Sequence, residues 1–298
     1  MKLSAPLSFA LAAVIALSPP AFAKDEVSPD GVKVDKMSPL RNLVSEEELE
    51  AAAVQQYTGI KQQASQQRAL APDDHPQVQR LRKIAKDLIP HAVRWNERAA
   101  QWKWEVNLIG SKEINAFCMP GGKIAFFTGI LDNLKLTDDE AAIVMGHEIA
   151  HALREHGRER AAKSGLASAG AKIAGLGLSA FLGIDPNLAG AATGGIANLT
   201  MLKFSRDDET EADLVGLDIV ARAGYDPRAG VALWRKMGMV SQSSTPQWFS
   251  THPAGKSRIA EMERHLPSVM PLYAKAKGVQ PTALPPYQTN VKGIAPIR

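Results

Sequence analysis

The sequence has almost no cysteine and little charge imbalance. A single cysteine, Cys118, among 298 residues excludes an intramolecular disulfide and every zinc site that needs two or more thiolates. Basic residues exceed acidic ones by only four and are spread along the chain, so we expect no nucleic-acid partner. Any bound metal ion must therefore be held by histidine and carboxylate side chains.

Long apolar runs are also scarce. Residues 6–17 form an apolar run behind Lys2, and an Ala-Phe-Ala sequence ends at Ala23. The run is shorter than the roughly 20 residues that a membrane-spanning helix needs. The pattern is typical of a cleaved secretory signal peptide, residues 1–23, with a membrane anchor as the alternative. We expect a periplasmic protein that is not lipidated, because no cysteine stands at the cleavage point.

The rest of the chain predicts a mostly helical α+β fold with a small β-sheet. A serine or threonine followed three residues later by an acidic residue marks helix starts after Ser45, Thr137 and Ser205. Two β-rich runs on either side of residues 120–122 predict a hairpin. The expected helices are 45–67, 76–99, 137–162, 205–224, 226–240 and 252–265, with a strand at 102–109 and an irregular, proline-rich tail after 266.

The chemistry is indicated by the sequence His147-Glu148-Ile149-Ala150-His151. Four residues make about one helical turn, so both imidazoles project from one face and can bind one metal ion, with Glu148 beside them. The first half of this helix is apolar on every side, which predicts that it is buried. Two unrelated histidines on a surface helix would instead lie among polar residues. The pattern therefore predicts a catalytic zinc site.

A catalytic zinc ion needs a third protein ligand and one position open to water. The metzincin arrangement is excluded, since it needs glycine and histidine where this chain has Arg154 and Gly157. Further along, Glu209 and Asp213 lie four residues apart on one face of the 205–224 helix. Glu209 can bind the metal while Asp213 accepts the outer N–H of a ligand imidazole. An acidic residue in a first helical turn is also common without a metal.

Together these motifs resemble the gluzincin metallopeptidases of family forty-eight, which include HtpX-like proteases, CAAX prenyl endopeptidases and periplasmic quality-control peptidases. The resemblance covers roughly residues 104–264. It implies a zincin-like fold, one zinc ion per chain held by His147, His151 and Glu209, and Glu148 as the general base. The motifs in the family's order are Asn115-Ala116-Phe117, Pro120-Gly121-Gly122, Thr128-Gly129, His147 to His151, Glu209-x-x-x-Asp213, Gly224-Tyr225-Asp226-Pro227, Thr251-His252-Pro253 and Arg258-Ile259.

Several residues near these motifs have roles that stay open. His252, Arg258 and Tyr225 are candidate donors to the oxyanion of the reaction. In some family members the His-Pro segment lies close to the metal, so His252 is alternatively an inhibitory ligand at the open position. We expect the strand of Asn115, Ala116 and Phe117 to be exposed beside the zinc ion and to pair with an extended substrate. Cys118, in the same strand, is expected to be a small buried residue instead of a thiolate ligand.

We divide the chain into a signal peptide (1–23), an N-terminal leader and helix (24–71), a zinc metallopeptidase domain (72–266) and a proline-rich C-terminal tail (267–298). The leader up to residue 43 is expected to be mobile. The role of 24–71 stays open between a pro-segment, a spacer and a peripheral membrane contact. The Gly- and Ala-rich segment 164–198 lies between the expected ligands, where a flap over the cleft would be. These features favour a periplasmic, single-domain branch of the family.

Two functions are consistent with this sequence. The first is an exported zinc metalloendopeptidase that hydrolyses unfolded or misfolded cell-envelope proteins. The second is a chaperone-like, non-proteolytic envelope assembly factor that keeps zinc for structure. We favour the first, because a water-activating glutamate such as Glu148 has no use in a structural zinc site.

Overall fold

The computed structural model describes residues 30–163, 204–241, 248, 252 and 256–298. The expected signal peptide and the 164–198 segment lie outside these ranges. Within the part of the chain that is described, no helix combines the length and the apolar character needed to cross a membrane.

The described chain is mainly helical with one small sheet, which confirms the predicted fold class. The helices are α1 (Glu46–Gln66), α2 (Pro76–Leu88), α3 (Thr128–Asn133), α4 (Asp138–Leu153), α5 (His156–Lys163), α6 (Arg206–Arg222), α7 (Ala229–Val240) and α8 (Lys256–Lys277), and the strands are β1 (Glu105–Ile109), β2 (Ala116–Met119) and β3 (Lys123–Phe127).

The sheet has the strand order β1-β3-β2, so β2 lies at an edge. β1 runs parallel to β3, and β2 pairs antiparallel with β3, which confirms the predicted hairpin. Side chains alternate between the two faces of the sheet, as the pleat requires. Cys118 and Phe126 face the main core around α4, whereas Phe117 and Phe127 face a second apolar cluster beneath α1.

Helix α4 is buried because it lies between the sheet and α6. The two helices approach closely at a pair of glycines. A Cβ at Gly146 would lie 2.9 Å from Val220 Cγ2, and one at Gly216 would lie 3.0 Å from the backbone nitrogen of His147. This close approach brings the histidine-bearing face of α4 against the first turns of α6.

Two predicted helices end earlier than expected. α2 stops at Leu88, and a short 3-10 turn containing Pro90 follows, because proline cannot donate the next helical hydrogen bond. Val93, within the predicted helix but beyond this end, is 36% exposed. α4 stops at Leu153, and Glu155 adopts a left-handed conformation with φ of +55°. α5 then begins at His156, so the expected continuous helix to 162 is two helices.

The expectation of an irregular tail after residue 266 is wrong for its first part. α8 continues through Pro267 and Pro271 to Lys277. Val269 and Leu272 remain in the main core on this stretch, and their burial offsets the two missing backbone donors. The predicted domain boundaries stay predictions.

The expected mobility of the leader is also wrong for residues 30–43. Arg222 Nη2 donates to the carbonyl of Asp30, and the N–H of Val32 donates to buried Asp218 at 3.3 Å. Arg154 donates to the carbonyl of Asp35. The segment is fixed across α6 and the end of α4 before it enters α1.

Candidate metal centre and active site

Four side chains offer ligand atoms that lie within 4.8 Å of one another. His147 and His151 come from successive turns of α4, Glu209 from the first turn of α6, and His252 from the segment before α8. All four are buried. The sequence-predicted ligands are therefore brought together, and His252 joins them.

The spacing of these atoms fits a tetrahedral zinc ion. Two nitrogens that are each about 2.0–2.1 Å from such an ion lie about 3.3–3.4 Å apart. The Nε2 atoms of His147 and His151 are 3.1 Å apart. The carboxylate oxygens of Glu209 lie 3.6 and 3.5 Å from these two nitrogens. Two imidazoles and a carboxylate are also the donor set that zinc prefers in gluzincin-type sites.

The outer nitrogen of each imidazole is held by a hydrogen-bonding partner. His147 Nδ1 lies 3.0 Å from Asp213 Oδ1, which is the role predicted for Asp213. His151 Nδ1 lies 2.9 Å from His156 Nδ1, and His156 Nε2 lies 2.8 Å from Glu211 Oε2. Because the outer positions are engaged, both Nε2 atoms are left to face the metal position.

His156 is outside the sequence motifs that predict the site. It lies five residues after His151, a spacing that would point elsewhere on a continuous helix. The left-handed turn at Glu155 redirects the chain, which is why no helical periodicity reveals the contact. Glu211 is not among the four residues of the metal group; it pairs with His156 at 2.8 Å and with Arg154 at 2.5 Å.

Arg258 lies behind the ligands and holds two carboxylates. Its Nε and Nη2 atoms each donate to Asp213 at 2.6 Å, and its Nη1 donates to Glu209 at 2.5 Å. The buried guanidinium also stacks over Trp234, with 4.0 Å between its central carbon and the ring centre. These bonds hold Glu209 and Asp213 in place, which supports an orienting role for Arg258; its candidacy as an oxyanion donor stays a prediction.

His252 occupies the fourth corner of the group. Its Nδ1 lies 3.2 Å from His147 Nε2 and 2.9 Å from Glu209 Oε1. Its Nε2 lies 3.5 Å from Glu148 Oε1, and its ring stacks on Trp248 at 4.5 Å. Of the two roles considered from the sequence, this position favours the inhibitory ligand.

A model of the peptidase family M48 matches residues 76–266, more than half of the chain. The chain belongs to peptidase family M48. The matched region contains every residue of the metal group.

Several curated proteins are similar to this chain. The mitochondrial metalloendopeptidase OMA1 of Arabidopsis thaliana is 37% identical over 185 residues, which are 62% of this chain and 35% of that protein. The Schizosaccharomyces pombe OMA1 is 33% identical, over 66% of this chain and 56% of that protein. The β-barrel assembly-enhancing protease of Escherichia coli is 28% identical, over 67% and 41%. The chain thus spans between about a third and a little over half of the length of these relatives.

In this M48 site, Glu148 is buried next to the ligands. Among the described residues, its Oε1 accepts no hydrogen bond and lies 3.5 Å from His252 Nε2, whereas the backbone of Cys118 hydrogen-bonds to the carboxylate. Burial raises the pKa of Glu148 to about 7 despite the opposing effect of His252. The thiol of Cys118 is buried and outside the metal group, and burial raises its pKa well above the usual range.

The ligands have the protonation states that metal binding requires. Burial alone would raise the pKa of Glu209, but His252, His151 and Arg258 outweigh it and hold that pKa well below its usual range. Burial lowers the pKa of both His147 and His151. Near neutral pH the site therefore presents a carboxylate and two neutral imidazoles, which need no proton loss before binding a metal ion.

Tyr225 does not take part in the site. Its hydroxyl donates to Asp87 on α2 at 2.7 Å. It follows the C-terminal end of α6, and the helix from Glu209 to Arg222 alone is about 20 Å long. Of the three candidate oxyanion donors, Tyr225 therefore lies apart from the metal group.

The expected substrate strand is only partly accessible. Asn115, Ala116 and Phe117 are all buried, which contradicts the expectation of an exposed strand. β2 is still an edge strand, so a peptide could pair with its backbone N–H and C=O groups but not with its side chains. Just before it, the carbonyl of Ile114 accepts a hydrogen bond from the N–H of Trp248 at 3.2 Å. Trp248 thus lies next to this edge, and its carbonyl accepts a hydrogen bond from the N–H of His252 at 2.8 Å.

Proposed function

We propose that this chain is an exported zinc metalloendopeptidase that hydrolyses unfolded or misfolded cell-envelope proteins. The observation that carries the proposal is the carboxylate of Glu148, which is buried beside the metal group and whose Oε1 accepts no hydrogen bond from the described residues, His252 Nε2 lying 3.5 Å away. A buried oxygen without a hydrogen bond costs free energy, and it is retained where chemistry needs it. The relatives named as metalloendopeptidases and as an assembly-enhancing protease support proteolysis, and the pattern of residues 1–23 supports export.

The residues around the site divide the work of peptide hydrolysis. His147, His151 and Glu209 would hold zinc, which when bound polarises a carbonyl and lowers the pKa of a coordinated water to about 7. Glu148 accepts the proton of the attacking water and returns it to the leaving amine. Its pKa of about 7 suits both transfers near neutral pH. Asp213 and Arg258 keep the ligand side chains in place throughout.

His252 makes the described arrangement a closed one. Its Nδ1 lies within 4.8 Å of the ligand atoms of His147, His151 and Glu209, so it would take the position that a catalytic zinc site leaves open to water. We propose that His252 is an inhibitory ligand that withdraws before a substrate is cleaved. Substituting His252→Ala is then expected to increase cleavage, whereas a loss of cleavage would assign the histidine to the reaction itself. His265→Ala, a change at a histidine outside the site, is the matched control.

The proposal is tested with purified protein and unstructured casein. We expect about one zinc ion per chain and cleavage by the wild type or by His252→Ala. Glu148→Gln should keep the zinc ion and lose cleavage. Equal cleavage by Glu148→Gln would defeat the proposal. An intact cellular function in Glu148→Gln would instead support the non-proteolytic assembly factor.

A further inference from the structure

The two histidines of the metal group on α4 are supported in different ways. His147 Nδ1 lies 3.0 Å from the carboxylate of Asp213, which is a direct pair. His151 Nδ1 instead lies 2.9 Å from Nδ1 of a third imidazole, that of His156, and His156 Nε2 lies 2.8 Å from Oε2 of Glu211. A buried imidazole is thus inserted between the second histidine and its carboxylate.

The contact between the two Nδ1 atoms limits where the hydrogens can be. A neutral imidazole has one N–H and one bare nitrogen, so of two facing nitrogens one must donate and the other accept. If Nε2 of His151 faces a metal ion, its Nδ1 carries the hydrogen and donates to His156. His156 then carries its own hydrogen on Nε2, where it is donated to Glu211. An ionised carboxylate only accepts, so Glu211 favours this arrangement.

The opposite placement of the hydrogens is penalised by Glu211. If a neutral His156 carried its hydrogen on Nδ1, its bare Nε2 would face a carboxylate oxygen at 2.8 Å, and neither atom could donate. His151 would then carry its hydrogen on Nε2, the nitrogen that must be bare to bind a metal ion. Through His156, the carboxylate therefore selects the tautomer of His151 that is able to bind.

Glu211 is itself held in position. Arg154 Nε donates to its Oε1 at 2.8 Å, so Oε2 is left to accept from His156. Arg154 also donates to the carbonyl of Asp35 in the N-terminal leader. The leader lies before residue 76, where the family match begins. The carboxylate at the end of this chain of hydrogen bonds is therefore oriented by an arginine that a segment outside the family domain holds in turn.

The turn that brings His156 to this place is strained. Glu155 has a φ of +55°, a left-handed conformation that costs free energy in a residue with a Cβ atom. Its side chain is fixed by Arg158 at 2.7 Å and by Arg41 at 2.9 Å. A continuous helix would avoid the strain, but residues five apart do not share a helix face. The contact between His156 and His151 depends on this turn.

We propose that Glu211 is a positioning residue for the metal centre, which fixes the tautomer of His151 through His156 and so raises the affinity of the site for zinc. The inference rests on the zinc binding of the proposed function and is independent of the substrate. A ligand that already has the right tautomer and orientation loses less free energy when the metal ion binds. The alternative is that Glu211 only neutralises Arg154.

The first test measures the zinc affinity of the full chain by competition with a chelator at fixed pH. Glu211→Ala should weaken the affinity about tenfold. Glu211→Gln should stay within about threefold of the wild type, because its amide oxygen can still accept from His156. No loss in Glu211→Ala, or equal losses in both variants, would overturn the inference. Glu159→Ala, at a partly buried glutamate of α5 that pairs with Lys163 at 2.6 Å, is the matched control and should bind zinc as the wild type does.

The second test asks whether Glu211 acts through His156. Once His156→Ala has removed the intervening imidazole, Glu211→Ala should cause no further loss of zinc affinity. The two substitutions are then strongly non-additive, as expected for residues in one network. A further tenfold loss in the double variant would show that Glu211 acts by another route, and would overturn the inference.

A third measurement needs no substitution and keeps the inference testable if the Glu211 variants do not fold. The ring-nitrogen chemical shifts of the histidines, recorded by NMR on the zinc-loaded wild type, report which nitrogen carries each hydrogen. We expect the hydrogen on Nδ1 of His151 and on Nε2 of His156. A hydrogen on Nδ1 of His156 would overturn the inference and leave the peptidase function standing. Failure of the wild type to bind zinc would overturn both.

Discussion

The two halves of α4 each bury a glutamate, and the glutamates differ in how they are satisfied. Glu140, fully buried near the N-terminal end, accepts from the Thr137 N–H at 2.9 Å, from Lys236 at 2.6 Å and from the Thr289 hydroxyl at 2.6 Å. Glu148 is 3% exposed, but its Oε1 accepts no hydrogen bond from the described residues and has only the longer contact of 3.5 Å with His252 Nε2. Residue type and burial are the same at both positions. The number of partners is what separates a structural glutamate from a reactive one.

Residues of the C-terminal segment cover the buried Glu140–Lys236 pair in the first half of α4. Lys236 also donates to Asn290 at 2.7 Å and to the carbonyl of Lys135 at 3.1 Å. The hydroxyl of Tyr287 lies 2.9 Å from that of Thr137. The tail thus seals a buried ion pair at one end of α4, whereas the metal group lies at the other end.

The largest effect is expected from removing the charge of Glu148. Glu148→Gln should lower kcat by about 10²–10⁴-fold, because the general base is lost. The free energy of unfolding should not fall, since the lost carboxylate was poorly compensated. Casein cleavage and urea unfolding measure the two quantities. Glu140→Gln should show the reverse, with a lower free energy of unfolding and unchanged cleavage per folded molecule. If both variants lost cleavage, or both lost stability, the contrast between the two glutamates would be wrong.

Breaking the buried ion pair between Lys236 and Glu140 should lower the free energy of unfolding without changing catalysis. Lys236→Met leaves Glu140 buried without its cation, which is expected to cost about 3–5 kcal/mol in the free energy of unfolding. The double substitution Lys236→Met with Glu140→Gln should recover most of that loss. Urea midpoints report both. A cost under about 1 kcal/mol for the single variant would show that the pair is not the buried structural element described here.

An intermediate effect, on zinc affinity, is expected from His156, which holds the outer nitrogen of the ligand His151. His156→Ala removes the partner of His151 Nδ1 and should weaken zinc affinity about 10–100-fold. Competition with a chelator of known affinity measures this directly. His265→Ala, at a histidine that pairs with Glu261 of its own helix α8, should leave the affinity unchanged. An unaltered affinity in His156→Ala would mean that the hydrogen bond does not orient the ligand.

The smallest expected effect is on the pH dependence of stability, through the carboxyl groups of Glu46 and Glu155, which interact with each other. Burial and the neighbouring Glu155 raise the pKa of Glu46 from 4.5 to about 7 in the folded protein. The folded state then binds more protons at this site than the unfolded state, so the contribution of Glu46 to stability falls as pH rises from about 4.5 to 7. Glu46→Gln should flatten the decline of Tm with pH in that window. An identical slope would show that Glu46 does not titrate there.

The parts of the site that follow helical periodicity could be predicted from the sequence. His147 and His151 share a face because they are four residues apart, and the same spacing relates Glu209 to Asp213. The capping boxes at Thr137 and Ser205 likewise predicted where α4 and α6 begin. In each case the deciding interaction lies within one or two turns of a single helix.

The missed features depend on contacts between distant elements. His156 reaches His151 through a left-handed turn, and Arg258 uses its donors on carboxylates of another helix. α8 continues through two prolines because tertiary burial outweighs the lost hydrogen bonds. Tyr225 shares a motif with the family but lies at the far end of α6. None of these follows from local pattern.

The most direct test of the account is a crystal structure of the zinc-loaded protein with anomalous scattering recorded on both sides of the zinc edge. The account predicts one anomalous peak, about 2.0–2.2 Å from the Nε2 atoms of His147 and His151 and from a carboxylate oxygen of Glu209. Glu148 should lie beside the metal without binding it. A peak elsewhere, or a Glu209 carboxylate that does not contact the metal, would contradict it.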